Sequence, residues 1–107
     1  MAHLTVMTTE DGDALRVIAR GQLDLSTAER LEEALRQAEA RGPATLLLDY
    51  SSLDFIDSTG LQVLLDADVR ASADGRRLVV RLGTGEAHRV VALADAARRL
   101  QVAEIDS

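Results

Sequence analysis

The sequence predicts an α/β fold with a mixed sheet: an antiparallel hairpin opens it, parallel strands follow, and three helices intervene in the order ββαβαβαβ. Three observations carry that expectation. An Asp-Gly turn sits between two Val-containing runs near the N-terminus. Apolar residues recur at helical spacing over 27–41 and again after residue 58. Between those helices the chain reads Leu46-Leu47-Leu48, with no polar alternation.

Each element follows from its residues. His3 to Thr8 and Ala14 to Ala19 flank Glu10-Asp11-Gly12-Asp13, where Asp-Gly adopts the positive φ of a tight turn, which gives the hairpin. Ser26-Thr27-Ala28-Glu29 has capping-box spacing, so a helix is expected from about 27 to 41, with Leu31, Ala34, Leu35 and Ala38 on one face and Gly42-Pro43 ending it. Ala44 to Tyr50 reads as a central strand, covered on both faces, and Ser51 to Asp57 as a loop. A second helix starts near Ser58, carries Leu61, Leu64, Leu65 and Val69, and stops around Gly75, with Asp68 interrupting its apolar arc. Arg77 to Leu82 is a further strand, Glu86 to Ala94 a short helix, and Gln101 to Ile105 a last strand. Strands alternating with helices imply parallel pairing by right-handed crossovers, and whether all helices share one face stays open at this point.

Size and charge narrow the functions. A chain of 107 residues forms one domain, spanning 1–107. One Tyr, one Phe and no Trp give few stacking platforms for bases, and twelve basic residues against eighteen acidic ones leave a net charge of -6, which repels a polyanion. Nucleic acid and anionic membranes are therefore excluded as expected partners. The absence of Cys removes disulfides, thiolate metal sites and thiol nucleophiles. The start, MAHLTVMTTEDGD, lacks the basic and apolar regions of a signal peptide, and no run approaches the ~20 apolar residues of a membrane span. A cytoplasmic location is expected.

The chemistry concentrates where the central strand runs into the second helix, at Asp57-Ser58-Thr59-Gly60-Leu61, the end of an α/β sheet where binding sites collect. Ser58 at a helix N-terminus suits a phosphate: the first turn offers unpaired N–H groups and a partial charge of about +0.5, against about -1.5 to -2 on a phosphoserine. An ordinary N-cap accounts for the same serine. Asp49, Asp54 and Asp57 read as solvated loop acids, with a metal or acid/base role as the weaker alternative. Val63 and Ala67 flank the stripe of the second helix, as peripheral core or as an extension of a docking face.

Gly21-Gln22-Leu23-Asp24 followed by Thr27-Ala28, then Phe55-Ile56-Asp57-Ser58-Thr59-Gly60-Leu61, and Gly75 before Leu78-Val79-Val80, resembles the STAS family of bacterial anti-sigma factor antagonists over almost the whole chain. The resemblance implies a mixed sheet with three helices packed mainly on one face. It also implies partner switching in transcription regulation, of the stress-response or sporulation kind. The unphosphorylated domain binds an anti-sigma factor that is also a serine kinase; the kinase phosphorylates the residue matching Ser58; a serine phosphatase reverses it. Asp24 and Asp57 match acids of the family's docking region, and Thr59, Gly60 and Leu61 complete the expected partner-binding residues. No cofactor and no metal are implied. Gln22 departs from the usual Glu, and Glu86 to Ser107 share only pattern with the family.

Two other classes are weighed against this one. A hydrolase with Ser58 as nucleophile lacks the Gly two residues earlier that a nucleophile elbow needs, since Ile56 stands there, and only His3 and His88 offer an imidazole. Gly83-Thr84-Gly85 without GK[ST] reads as a strand-to-helix turn and not a phosphate cradle. The remaining alternative is a STAS subunit of a larger stress-signalling or transporter-associated complex, without a phospho-switch.

Overall fold

The computed structural model describes residues 3–93 and 102–103, with side chains through Arg89. The elements run β1 (Leu4–Asp11), β2 (Ala14–Leu23), α1 (Ala28–Ala40), β3 (Thr45–Ile56), α2 (Ser58–Asp74), β4 (Arg77–Arg81), α3 (Glu86–Leu93) and β5 (Val102–Ala103). The ββαβαβαβ order is the expected one. Of the expected last helix and strand, Ala94, Gln101, Glu104 and Ile105 lie outside the described residues. Among the described helices, none is long and apolar enough to cross a membrane.

The strands form one sheet in the order β1-β2-β3-β4-β5. β1 is antiparallel to β2, and β2, β3, β4 and β5 run parallel. Register explains the core. Leu15, Leu46 and Leu78 stand in one row across three strands, and Val17, Leu48 and Val80 in the next. All six are at most 5% exposed, whereas Arg16, Ile18, Leu47, Val79 and Arg81, pointing the other way, are half-buried. The sheet is therefore two-sided, with one face forming the core. Leu31, Leu35 and Ala38 of α1 and Val63, Leu64, Ala67 and Ala71 of α2 close that face. A bidentate pair from Arg70 to Glu39, at 2.8 and 3.0 Å, clamps the two helices together.

Three local expectations are corrected. The segment 51–57, read as a loop, is strand as far as Ile56. Two register irregularities, between Ile18 and Arg20 and between Gly21 and Gln22, disrupt its alternation and hide it from a period-two reading. The capping box at Ser26 does not form. Thr27 occupies the N-cap without a side-chain cap bond, because Ser26 donates its hydroxyl to Asp24 Oδ1 (2.7 Å) and Thr27 donates its own to Gln22 O (2.9 Å). On α2 Val69, expected on the apolar stripe, is 67% exposed; the buried arc is Gly60, Val63, Leu64, Ala67 and Ala71, which bears out the core alternative for Val63 and Ala67. Asp68 simply lies beside that arc, which accounts for its place in the pattern.

Candidate functional site

Because β2 and β3 are parallel, their C-terminal ends share one edge of the sheet, and the sequence-predicted residues collect there. The Asp57 N–H donates to Leu23 O at 3.2 Å, tying the exit of β3 to the residue before Asp24. Asp24 and the Asp57–Leu61 segment are thus brought together. Ser58 is the first residue of α2 and its side chain is exposed.

The N-cap of α2 is Asp57, and its Oδ1 accepts from the Thr59 N–H (2.9 Å) and the Gly60 N–H (3.1 Å). This corrects two expectations: Asp57 is not a solvated loop acid, and Ser58 is not the cap. The amides expected to receive a phosphate already have a carboxylate partner. A phosphoryl group on Ser58 would still feel the positive end of the helix dipole, but beside an anion.

Gly60 explains why this turn is so close to the sheet. A Cβ there would stand 2.7 Å from Ile56 Cγ1, 2.8 Å from Leu23 Cγ and 2.9 Å from Leu23 Cδ2. Only hydrogen fits. From below, the fully buried Tyr50 donates its hydroxyl to Gly60 O at 3.1 Å, and burial holds its ionisation far above the ordinary range. Leu61 is half-buried against the core. The first turn of α2 is therefore fixed by packing beneath it, by Tyr50 and by Asp57, while Ser58 is left outside.

Asp24 is held in its own turn. The Ser26 hydroxyl and N–H both donate to its Oδ1, and these bonds, the hydroxyl's foremost, lower its carboxyl below the usual value. The other two carboxylates separate. Asp54 is exposed, whereas Asp49 is 5% exposed, accepts from Ser51 N–H (2.9 Å) and Oγ–H (2.6 Å) and faces Arg81 at 3.6 Å. Asp49 is a structural ion-pair member and not a loop acid. Among the described residues no group of three metal-ligating side chains occurs. Gly83 to Gly85 form the β4–α3 turn, with a Cβ at Gly83 placed 2.9 Å from Ser51 Cβ, so the turn packs on the sheet. His88 is exposed on α3.

Two residues were missed by sequence reasoning. Leu25 is 79% exposed in the turn after β2 and Phe55, paired across from Gln22, is 44% exposed. Their signal was present: Phe55 is the chain's single Phe, and Leu25 is an apolar residue between Asp24 and Ser26 in a polar turn. Leu25 follows Asp24 in the turn after β2 and Phe55 precedes Asp57 by two residues in β3, so both stand at the sheet end that carries Ser58.

A family model described as Mlab, STAS domain matches residues 6–102. The anti-sigma-F factor antagonist RsfB of Mycobacterium tuberculosis is 37% identical over 59 residues, which is 54% of this chain and 48% of that protein. The anti-sigma-B factor antagonist of Listeria monocytogenes is 32% identical over 57 residues, 53% of this chain and 50% of that protein. The chain spans about half the length of the curated relatives it matches. Among solved structures, an anti-sigma factor antagonist from Mycobacterium paratuberculosis aligns with a TM-score of 0.88 at 21% identity, covering 96% of this chain and 87% of that one. The unphosphorylated form of the anti-sigma factor antagonist SpoIIAA aligns at 0.73 and 16% identity, covering 95% and 89%. At these identities the structures show a shared fold.

Proposed function

Because this chain belongs to the STAS domain family, we propose that it is an anti-sigma factor antagonist, active in the cytoplasm, that binds an anti-sigma factor serine kinase while Ser58 is unphosphorylated. The observation that carries the reading is Ser58 itself: exposed at the first position of α2, at the sheet end where Asp24, Leu25, Phe55 and Asp57 also lie. A partner closing over Leu25 and Phe55 gains apolar burial, and basic groups on it would meet the acids. Phosphorylation adds about -1.5 to -2 charge beside Asp57, in the centre of the surface to be desolvated, and that expels the partner without loosening the helix. A serine phosphatase would restore binding. Asp24, Asp57, Thr59, Gly60 and Leu61 serve this function in two ways. The acids face the partner, and Gly60 and Leu61 set the height of Ser58 above the sheet.

A second reading, a STAS subunit held in a larger complex with no phospho-switch, is favoured by one observation. The family model that spans residues 6–102 is described as Mlab, STAS domain, and not as an anti-sigma factor antagonist, while the antagonist relatives match little more than half of the chain. Affinity capture from a lysate of the source organism separates the two, with wild type and Ser58→Asp as paired baits. A small ATP-binding serine kinase held by the wild type and absent from Ser58→Asp supports the switch. The same multi-subunit particle on both baits refutes it.

A further inference from the structure

On the reading that Ser58 is the phosphorylated residue, we propose that Tyr50 is a positioning residue for the switch: its buried hydroxyl, acting through Gly60, fixes the first turn of α2 against the sheet and so the place where Ser58 is presented to a kinase. Two opposed constraints meet at Gly60. Packing resists approach, because a Cβ there would stand within 3 Å of Ile56 and Leu23 side-chain atoms, and the backbone already lies against them. A hydrogen bond resists withdrawal. Tyr50, 0% exposed on β3, donates to Gly60 O at 3.1 Å. No water reaches a phenol at that depth, so lifting the turn would leave a buried hydroxyl without its acceptor.

The other bonds near this turn act elsewhere. Asp57 Oδ1 accepts from the amides of its own turn, and the Asp57 N–H to Leu23 O bond anchors the residue before the helix. Among the described residues, the Tyr50 bond alone joins Ser58–Leu61 to the sheet. Ser58 has no tie of its own: no hydrogen bond among the described residues involves its hydroxyl, so the backbone alone sets its place. With 3.6 residues per turn, Ser58 projects about 200° around the helix from Gly60, which agrees with Gly60 being buried and Ser58 exposed. A first turn released at Gly60 tilts, and Ser58 moves with it. Phosphoryl transfer depends on that placement, since a misplacement of about 1 Å can cost about a hundredfold in rate.

Tyr50→Phe keeps the ring and removes the hydroxyl, while Gly60 O keeps its place as a helix acceptor, so no buried group is orphaned. Ile18→Val, a small destabilising change on the far face of the sheet, is the control. The Leu61 N–H, which donates to Asp57 O at 3.1 Å, exchanges by local opening of the first turn. Its hydrogen exchange is expected to speed up about tenfold in Tyr50→Phe and to stay at the wild-type rate in Ile18→Val. With ATP and the serine kinase captured by the wild-type chain, kcat for Ser58 phosphorylation is expected to fall about tenfold in Tyr50→Phe, KM staying within about twofold, and to be unchanged in Ile18→Val. A purely structural Tyr50 would leave kcat at the wild-type value. Leu61 exchange unmoved in Tyr50→Phe, or a kcat equal to that of the wild type, overturns the role of Tyr50 and leaves that of Ser58 intact. A wild-type chain that the kinase leaves unmodified at Ser58 overturns the reading of Ser58 and the role of Tyr50 with it.

Discussion

Gly60→Ala tests how the first turn of α2 is held against the sheet. The added Cβ meets Ile56 Cγ1 at 2.7 Å and Leu23 Cγ and Cδ2 at 2.8 and 2.9 Å. Ile56 Cγ1 and Leu23 Cγ are each bonded directly to Cβ, close to the backbone, and Ile56 and Leu23 are 3% and 0% exposed, so neither side chain has space to swing aside. Overpacking of this kind costs about 1–3 kcal/mol, and three contacts within 3 Å place it at the upper end. The helix-propensity gain of Ala over Gly returns up to about 1 kcal/mol. The net expectation is a loss of about 2 kcal/mol, which in a domain of this size lowers Tm by roughly 8–15 °C. Urea denaturation followed by circular dichroism measures it directly. A Gly60→Ala chain as stable as the wild type would refute the reasoning, since it would mean that the turn sits higher above Leu23 than described.

The remaining predictions concern the carboxylates. Asp57→Ala removes the acceptor for two helix amides and should cost about 1–2 kcal/mol, with Asp57→Ser recovering most of it in the same denaturation assay. Asp49→Ala should cost about 2–3 kcal/mol, below the usual range for a broken buried pair because Arg81 keeps 21% of its side chain exposed, while Asp54→Ala changes stability by less than about 0.5 kcal/mol. A carboxyl NMR titration should place the Asp24 midpoint below the ordinary carboxylate value of about 3.9, and Ser26→Ala should raise it. Since the folded value is the lower one, Asp24 contributes stability above the ordinary value, and that contribution is lost as pH falls through the folded value. An Asp24 midpoint unmoved by Ser26→Ala would contradict this assignment.

The architecture was legible because it rests on patterns the chain displays openly. Asp11-Gly12 turns the hairpin, Leu46-Leu47-Leu48 marks the central strand, and Leu31 and Leu35 mark the buried face of α1. What failed was local polar bonding. Ser26 has the sequence of a cap, but Asp24 captures its hydroxyl, and Asp57 takes the cap of α2 from the serine beside it. The two irregularities in β3 removed the alternation that would have extended it to Ile56. Asp49 and Asp54 look alike in sequence, and only the pairing of β3 with β4 reveals that one of them faces Arg81. The position of Ser58 was readable from the Asp-Ser-Thr-Gly-Leu segment, whereas Leu25 and Phe55 emerged only when parallel pairing brought the ends of β2 and β3 together.

The central claim is that phosphorylation of Ser58 breaks a complex with a kinase. The most direct measurement adds ATP to the complex of this chain with its captured anti-sigma factor, following the complex by size-exclusion chromatography and the chain by peptide mass spectrometry. The account predicts one phosphoryl group, mapped to Ser58, appearing in step with dissociation, and neither event with Ser58→Ala. A complex that stays intact while Ser58 is fully phosphorylated, or that dissociates with Ser58 unmodified, would contradict it.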